Sequence, residues 1–504
     1  MKNPNKYIIP ILLSALILFG VGLQGVGAQE LEAEQQLEIV NLSGTDALIN
    51  EAVSFTVPSA DDEDQVIWNF GDDTVVTGKT VEKTYSETGV YDISVSVIAS
   101  DGTLEVGTLA VSVFSEYIVA LIDRSVMAEE IKTLATTAAE HNIYLKTLRA
   151  DELQTLYQRE RSLTDLLVNT APVLSQAKLL IDWTQGTVGL ASLLAAQQAP
   201  NAVPLDLSNQ IIISVTKTIS FDKRIAQLTY DVINPVGLVL TEKETLPVLV
   251  ASESLRDVTE NLQQTGTNFE IIQQTSPPLS ERVSIVNFFF PGVEFVAKRG
   301  LPLNTLVIFL ALPLIALFFI IGKQVIGLRT FGLYIPVLLT VALLPLGLVT
   351  GLVVFLGSLF ITELIRPSFR WMRLSFLPRS AIMVTAITLL FLGFFVVAGT
   401  LDYIHLLPYA IFPALLSIPL IEKFASVRIE KSRSAAIRYT LETMLMVVIS
   451  FVVINLPVIN TLIISYPETI IIVALLAFLV GRFTGLRIVE YYRFQDLIRA
   501  LRRD

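Results

Sequence analysis

Five charged residues stand out because each lies inside or beside strongly apolar sequence. They are Arg329, Glu363, Glu422, Glu442 and Arg482. A charge in such surroundings is costly unless it pairs or reaches water, so this group predicts an internal ion-pair network or a functional site. Alternatively, the long side chains extend to the polar headgroups and have no specific role. If they pair, we expect Arg482 to contact Glu442, because the two apolar stretches that carry them are consecutive and antiparallel.

The residue inventory excludes much covalent and metal chemistry. The chain has no cysteine, which excludes a thiol nucleophile, a disulfide and a Cys-ligated metal centre. Its only histidines are His141 and His405. The apolar stretches lack paired aspartates and metalloprotease or serine-hydrolase motifs, so an intramembrane enzyme ranks last among the possible functions. We therefore predict a protein that is not an enzyme and that has no cofactor and no resident metal.

Composition indicates a membrane protein. Of the 504 residues, 52% are hydrophobic and 16% are charged, whereas soluble domains carry about 25% charged residues. Seven stretches approach the ~20 residues that cross a bilayer. They are Leu303 to Ile321, Phe331 to Leu346, Gly347 to Ile365, Ala381 to Gly399, Ile404 to Ile421, Tyr439 to Leu456 and Glu468 to Leu486. The second and third are one apolar run, which we divide at Pro345 and Gly347 because Pro and Gly mark turns.

Charge distribution predicts the orientation of these spans. Residues 29–300 hold 17 Lys and Arg against 38 Asp and Glu, a net charge of 17 − 38 = −21; residues 301–504 hold 17 against 9, or +8. Lys and Arg cluster in alternate connections and in the tail, which the positive-inside rule assigns to the cytoplasm. Residues 1–28 resemble a cleaved secretory signal, with an uncleaved anchor as the alternative. An external N-terminal half and a cytoplasmic C-terminus at the plasma membrane follow.

The acidic half divides into two patterns. Alternating apolar and polar residues up to Phe114 predict a β-sandwich. After it, β-rich runs alternate with helical patterns up to Gln274, which predicts a three-layer α/β domain around a mostly parallel sheet. Asp123 follows the first of these strands, where such folds often contact ligands, although a helix-capping role is favoured. The domain lacks GxGxxG and Walker A sequences, so we expect no nucleotide binding.

The sandwich resembles a PKD repeat. The residues that carry the resemblance are Trp68, Phe70, Gly71, Asp72, Asp73, Tyr85, Gly89 and Tyr91. The resemblance implies that Trp68 and Phe70 lie in the core and that Gly71 to Asp73 form a turn. Some repeats of this kind bind calcium, and the run Asp61 to Asp64 could supply oxygen ligands, but a solvated acidic loop is favoured.

The apolar half resembles a bacterial seven-transmembrane domain that is usually fused to an inactive transglutaminase-like domain. The motifs that carry the resemblance are Gln324 to Gly332, Leu377 to Arg379, Pro419 to Phe424, Tyr466 to Glu468 and Gly481 to Arg487. The resemblance implies an all-α bundle in the cell envelope, without assigned biochemistry, that is often encoded beside an ATP-grasp peptide ligase. We find no transglutaminase-like stretch in this chain.

These patterns divide the chain into a signal peptide, two external domains, a linker, a membrane domain and a tail. The expected boundaries are residues 1–28, 38–114, 115–275, 276–302, 303–488 and 489–504. The expected function is an envelope membrane protein whose external modules bind a ligand, protein or wall polymer. Its membrane domain would contact lipid and provide anchoring, assembly or signalling, with a cytoplasmic ATP-grasp-type ligase as a possible partner and no nucleic acid. The alternative is a transporter, because Pro408, Pro413 and Pro419 could break the fifth span.

Overall fold

The computed structural model describes residues 40–41, 46–60, 64–100, 103–150, 155–199, 205–277, 287–353, 355–357 and 430–493, and isolated positions between 378 and 428. The predicted signal peptide, Asp61 to Glu63, Glu363, Glu422 and most of the third, fourth and fifth predicted spans lie outside these residues. The chain divides after Val113 into two compact units.

The first unit is a β-sandwich of two antiparallel sheets. Its strands are β1 (Val40–Asn41), β2 (Asp46–Leu48), β3 (Ala52–Thr56), β4 (Gln65–Asn69), β5 (Val75–Thr77), β6 (Thr80–Thr84), β7 (Gly89–Ile98) and β8 (Leu104–Phe114). One sheet has the order β1-β3-β6 and the other β2-β8-β7-β4-β5. Buried and exposed residues alternate along β3 and β4 because successive side chains point to opposite faces. This agrees with the predicted sandwich.

The second unit begins with a six-stranded sheet. Its strands are β9 (Glu116–Ile122), β10 (Ile143–Arg149), β11 (Leu179–Trp183), β12 (Ile211–Val215), β13 (Gly237–Thr241) and β14 (Phe269–Ile272). They lie in the order β10-β9-β11-β12-β13-β14, and only β14 runs antiparallel to its neighbour. Strands β9, β11 and β13 are buried along almost their whole length, as expected for a sheet covered on both faces.

Helices cover both faces of this sheet. They are α1 (Ala128–Glu140), α2 (Leu156–Asn169), α3 (Ala171–Leu174), α4 (Val188–Gln197), α5 (Ile219–Ile233), α6 (Leu246–Leu249) and α7 (Leu255–Thr265). Helices α1, α6 and α7 share one core with the strands, and α2, α4 and α5 pack side by side in another layer. Nearly every residue of α4 is buried, so α4 is covered on the side away from the sheet as well.

The helices that cover α4 on the side away from the sheet belong to the apolar part of the chain. Its helices are α8 (Phe290–Ala297), α9 (Leu303–Ile321), α10 (Tyr334–Leu346), α11 (Arg433–Ile454), α12 (Pro457–Ser465), α13 (Thr469–Gly481) and α14 (Ile488–Arg493). Helices α9, α10 and α12 pack against α4, α2 and α5 respectively. The α2-α4-α5 layer is therefore enclosed between the sheet and the apolar helices.

Two described helices are long and apolar enough to cross a membrane. They are Leu303–Ile326, in which five π-helical residues extend α9, and Arg433–Ile454. Helices α12 and α13 form a pair bent by 108°, which would count as a third, broken span. The seven-span arrangement stays a prediction. Two helices were not predicted from the sequence. Helix α8 lies within the residues expected to form a linker, and α12 lies within an expected loop.

Candidate functional site

The point where the strand order reverses is the crevice between the carboxyl ends of β9 and β11, where open α/β sheets usually bind ligands. In this chain, Asp123 follows the last residue of β9 and lies at this position. Asp123 Oδ1 accepts from the Ser125 backbone N–H at 2.9 Å, which closes a turn, and Oδ2 accepts from Arg159 at 2.9 Å and from the Gln185 N–H at 3.3 Å. Helix α1 is capped at Met127, so Asp123 forms a turn and a buried ion pair and is not the helix cap that was favoured from the sequence.

A second buried carboxylate, Asp182, lies near the end of β11. It accepts from the Thr184 hydroxyl at 2.7 Å and from the Ser214 hydroxyl at 3.0 Å. Burial raises the pKa of Asp182 to about 7, although these hydrogen bonds lower it in part. A Cβ atom at Gly189 would lie 2.0 Å from Asp182 Oδ1, so helix α4 can pass over the carboxylate only because residue 189 is glycine.

A small cleft, with room for about one water molecule, opens where this edge of the α/β domain meets the apolar helices. We call it the joint cleft. The α/β domain supplies Glu160 of α2 and the segment Gln185 to Val188, and the apolar helices supply Asn304 of α9 with Asn460 and Thr461 of α12. Pro457 of α12 contacts the Gly186 turn, since a Cβ atom at Gly186 would lie 3.2 Å from Pro457 Cβ. The apolar helices therefore cover one side of the sheet edge at which open α/β folds usually bind ligands.

Among the described residues that line the joint cleft, Glu160 is the only one with an ionisable side chain. The residue is 5% exposed. Burial raises the pKa of Glu160 to about 8, and a hydrogen bond from the Asn304 backbone N–H opposes this only in part. Asn304 is the second residue of α9, so an α/β-domain side chain caps the first apolar helix.

A close polar contact between the two parts is made by Arg224 of α5. Its Nη1 donates to the Ser465 carbonyl at 2.7 Å, and its guanidinium lies 4.2 Å from the ring centroid of Tyr466 and 5.2 Å from that of Phe290. Glu468 Oε2 lies 4.0 Å from Arg224. We call Phe290, Ser465, Tyr466 and Glu468 the Arg224 socket, and it lies at the bend between α12 and α13.

Glu468 also organises the segment that follows the α/β domain. Its Oε1 accepts from the backbone N–H groups of Phe289 at 3.1 Å and Phe290 at 3.2 Å, at the start of α8. A carboxylate is favoured there by the unpaired amides and the helix dipole. At the end of α8, Lys298 pairs with Asp231 of α5 at 3.0 Å, and the pKa of Lys298 is raised by its two acidic partners against the effect of burial. Helix α8 is thereby fixed at both ends.

Of the predicted charged cluster, the structure brings Arg329 and Glu442 together and leaves Arg482 exposed. Glu442 accepts from the backbone N–H of Arg329, and the Arg482 guanidinium stacks on the Phe478 ring at 4.9 Å. The expected pair of Arg482 with Glu442 was therefore wrong: Arg482 is exposed and follows the last residue of α13, beyond the reach of a shielded partner. Glu363 and Glu422 lie outside the described residues. A functional role for the cluster stays a prediction.

Trp68 and Phe70 lie in the core and Gly71 to Asp73 lie in the loop after β4, as the PKD resemblance implies. Trp68, Phe70 and Tyr85 are buried, and Phe70 stacks on Trp68 with a centroid distance of 6.0 Å. Gly71 and Asp73 have positive φ angles in the loop between β4 and β5. Asp72 pairs with Lys83 at 2.5 Å, and Tyr91 donates from its hydroxyl to the Glu87 carbonyl. Gly89 begins β7.

Patterns in the sequence did not single out Arg224, Glu160 or the helix α12. Arg224 and Glu160 occupy ordinary positions on amphipathic helices, and their partners lie far along the chain. One signal was available: the Tyr466 to Glu468 motif, which was recognised only as a family feature and is in fact the socket for Arg224. The run Pro457 to Ser465 was also apolar enough to predict a short helix.

Comparison with known protein families agrees with both resemblances. Residues 289–498 match the family described as seven transmembrane helices usually fused to an inactive transglutaminase. Residues 39–113 match the PKD domain. Both resemblances are confirmed. The match to the seven-transmembrane family includes α8, the Arg224 socket and every described helix from α9 to α14. The chain is therefore similar to a membrane-protein family over its C-terminal segment and carries a PKD domain before it.

Solved structures show only weak likeness. A structure of carbohydrate-binding modules from the β-sandwich superfamily has 24% identity and a TM-score of 0.15, covering 16% of this chain and 35% of that one. A sialyltransferase from Photobacterium damsela has 11% identity and a TM-score of 0.17, covering 44% and 52%. A 2,6-sialyltransferase from a Photobacterium species has 10% identity and a TM-score of 0.20, covering 46% and 58%. The chain thus spans less than two thirds of each. No curated protein matches it.

Proposed function

We propose that this chain is a non-enzymatic, multi-pass envelope protein whose PKD and α/β modules bind an external ligand, protein or wall polymer. The membrane domain anchors the modules and relays their state across the bilayer. The observation that carries this proposal is the docking of α5 on the bend between α12 and α13 through Arg224. A module that served only as a passive attachment would not require a half-buried guanidinium that stacks on Tyr466 at the bend of a membrane segment.

The proposed orientation has the α/β domain outside and the C-terminus in the cytoplasm. Contacts at the two opposite ends of the described membrane-domain helices support this orientation. The start of α9, helix α12 and Glu468 contact the α/β domain, and these were expected to be external. At the other end of α9, Gln324 donates to the Gly481 carbonyl and Arg487 packs beside Gly327. These residues carry the basic loops that the positive-inside rule assigns to the cytoplasm.

The relay is tested with a reporter at the end far from the Arg224 socket. Gln324→Cys in the cysteine-free chain gives one thiol, whose maleimide labelling rate is measured in inverted membrane vesicles. Breaking the socket with Arg224→Ala should change this rate severalfold, whereas Arg256→Ala, on the exposed α7, should leave it unchanged. If both variants label at the wild-type rate, the membrane domain is an anchor and the relay is refuted.

Binding by the external modules is tested with the purified full-length protein and isolated cell-wall sacculi. We expect co-sedimentation that decreases when residues 39–113 are deleted. Equal sedimentation of both forms would exclude the PKD module from wall binding and leave a soluble ligand or protein for it. A cytoplasmic ATP-grasp-type ligase is the partner that we propose for the opposite end, by resemblance alone.

The bend of 108° between α12 and α13 favours a second candidate function, a transporter. Transporters use broken helices to line a substrate path. If α13 lined a water-filled path, a cysteine replacing Leu475 at its middle would react with a membrane-impermeant maleimide. The anchoring and relay function predicts that this position faces lipid and is protected.

A further inference from the structure

We propose that one face of helix α8 binds the phospholipid surface of the membrane, in the leaflet that faces the α/β domain. The aromatic side chains of this face insert beside the headgroups, and Arg299 contacts a lipid phosphate. Lipid contact thereby extends beyond the spans, to residues expected to form a linker. The proposal goes beyond the proposed function, and it does not depend on the ligand of the modules or on the side of the membrane that they occupy.

Helix α8 is apolar on both faces, although the protein covers only one of them. On the uncovered face, Phe288, Phe295 and Val296 are 41%, 53% and 37% exposed. The one acidic residue of α8, Glu294, lies on the covered face, where it is buried and pairs with Lys298 at 2.7 Å. A helix at the surface of a soluble domain instead turns its charges outward, and a helix that is apolar all round is normally enclosed. The composition of α8 therefore indicates apolar surroundings on its uncovered face.

The exposed apolar residues of α8 form one continuous patch. Gly292, Phe295 and Val296 are spaced as i, i+3 and i+4, so they share one side of the helix. The rings of Phe288 and Phe289, with centroids 4.2 Å apart, extend this side beyond the start of the helix. A contiguous exposed patch of this kind marks a contact surface for a membrane or a protein. We call these five residues the α8 patch.

Contacts at both ends of α8 place the patch at the level where membrane helices begin. At its start, Glu468, the residue before α13, accepts from the backbone N–H groups of Phe289 and Phe290. At its end, five residues connect α8 to the start of α9 at Leu303, and a chain of this length spans at most about 18 Å. Phe309, in the second turn of α9, is also exposed. This continuity with a candidate span favours lipid as the partner of the α8 patch.

Arg299 supplies a positive charge beside the α8 patch. Its guanidinium lies 4.5 Å from the centroid of the Phe295 ring and is exposed, and it forms no ion pair with any residue in the described part of the chain. The neighbouring Lys298 is already paired with Asp231 and Glu294. A guanidinium matches the geometry of a phosphate group, and aromatic rings are favoured at headgroup level. The combination is typical of a helix that lies in the membrane interface.

The position of the α8 patch is tested in the full-length protein, reconstituted into phosphatidylcholine vesicles. A nitroxide spin label is attached through Val296→Cys in the cysteine-free chain. Its collisions are then measured with oxygen, which concentrates among acyl chains, and with a neutral, water-soluble nickel complex. We expect oxygen collisions to dominate severalfold at this position. At Glu260→Cys, on the exposed surface of α7, the nickel complex should dominate, so this variant is the matched control.

Two results would overturn the proposal. Dominance of the nickel complex at Val296→Cys would show that the α8 patch faces water. Protection of the same label from both reagents would show that a protein surface, from this chain or a second copy, covers the patch.

The contact of Arg299 with lipid phosphate is tested by a change of lipid. Adding anionic phosphatidylglycerol to the vesicles should shift the label at Val296→Cys deeper, because basic residues are attracted to anionic headgroups. Arg299→Gln should abolish this shift and keep the preference for oxygen, whereas Arg256→Gln, on α7, should keep both. Inorganic phosphate in the buffer should not reproduce the shift. Absence of the shift in the labelled parent, or a shift that survives Arg299→Gln, would refute the headgroup contact.

Discussion

Arg224 and Arg482 both lie beside aromatic residues of the membrane domain, and their surroundings differ completely. Arg224 comes from the α/β domain, stacks on Tyr466, donates to a carbonyl and lies near Glu468. Arg482 follows α13, is exposed and contacts the ring of Phe478. Apolar flanking sequence drew attention to Arg482, yet Arg224 is the more enclosed of the two guanidinium groups. The cost of a charge depends on what covers it in three dimensions, and here the cover comes from about 240 residues away.

The largest expected effect concerns pH and the buried carboxylate Asp182. Its pKa of about 7 in the folded protein exceeds the ~3.9 of an unfolded aspartate. The folded state therefore holds the proton more tightly, and the resulting stability is present below pH 4 and is lost as the pH rises through 7. Asp182→Asn should remove a decline on the order of 4 kcal/mol in the free energy of unfolding. Asp206→Asn, an exposed control, should leave the decline unchanged.

Arg224→Ala should give the largest effect among the socket variants. It removes the hydrogen bond to Ser465, the ring contacts and the cation that lies 4.0 Å from Glu468 Oε2, a buried oxygen without a hydrogen bond in the described part of the chain. We expect a loss of about 3 kcal/mol in thermal unfolding of the detergent-solubilised protein. Arg224→Lys should recover part of it, because an ammonium group lacks the planar stacking surface. A loss equal to that of Arg256→Ala, an exposed variant, would contradict the socket.

Glu468→Gln should have an intermediate effect of about 1 to 2 kcal/mol. The amide oxygen can still accept from Phe289 and Phe290, but the charge that favours both the start of α8 and Arg224 is lost. The double variant with Arg224→Ala should lose less than the sum of the single losses, because the two residues are in one network. Strict additivity in this double-mutant cycle would show that Arg224 and Glu468 act independently and would contradict a shared network.

The smallest effect is expected at the end of the membrane domain opposite the Arg224 socket. Arg482→Ala should change the free energy of unfolding by about 0.5 kcal/mol or less, since its only described side-chain contact is an exposed ring. Glu442→Ala should lose about 1 kcal/mol, the value of its hydrogen bond to the Arg329 backbone. Their effects should add within experimental error. A coupling energy clearly above zero would restore the pair that the sequence suggested and remove the contrast between the two ends.

Local patterns in the sequence predicted the parts of the fold that depend on them. Apolar runs predict strands over Ile211 to Val215 and Phe269 to Ile272 and a span over Leu303 to Ile321. Strands β12 and β14 and helix α9 begin and end at these residues, because each run is mostly apolar and has clear boundaries. The helical pattern predicts a helix over Asp222 to Ile233, and α5 begins three residues earlier, at Ile219, since its first turn carries the polar Ser220. The PKD core residues followed from a motif whose spacing is specific.

The candidate site could not be predicted in the same way. Glu160 and Arg224 meet partners that are distant in sequence, and no local period records such contacts. Helix α12 was missed because Pro457, Asn460 and Pro467 suggested a loop, although proline is well tolerated at the first position of a helix. The burial of Glu160 and Asp182, and so their raised pKa values, depends on elements that cover them only after folding.

The docking of α12 on the α/β domain is tested most directly by a disulfide in the cysteine-free chain. Gly186→Cys and Pro457→Cys would place two Cβ atoms 3.2 Å apart, near the ~3.5 to 4.5 Å of disulfides. After mild oxidation in native membranes and cleavage at a protease site inserted between the two positions, the fragments should stay joined until a reductant is added. Gly266→Cys with Pro457→Cys, in which residue 266 has no neighbour within 4 Å, should not cross-link. Fragments that separate without reductant in the first pair, or equal cross-linking in both pairs, would contradict the docking.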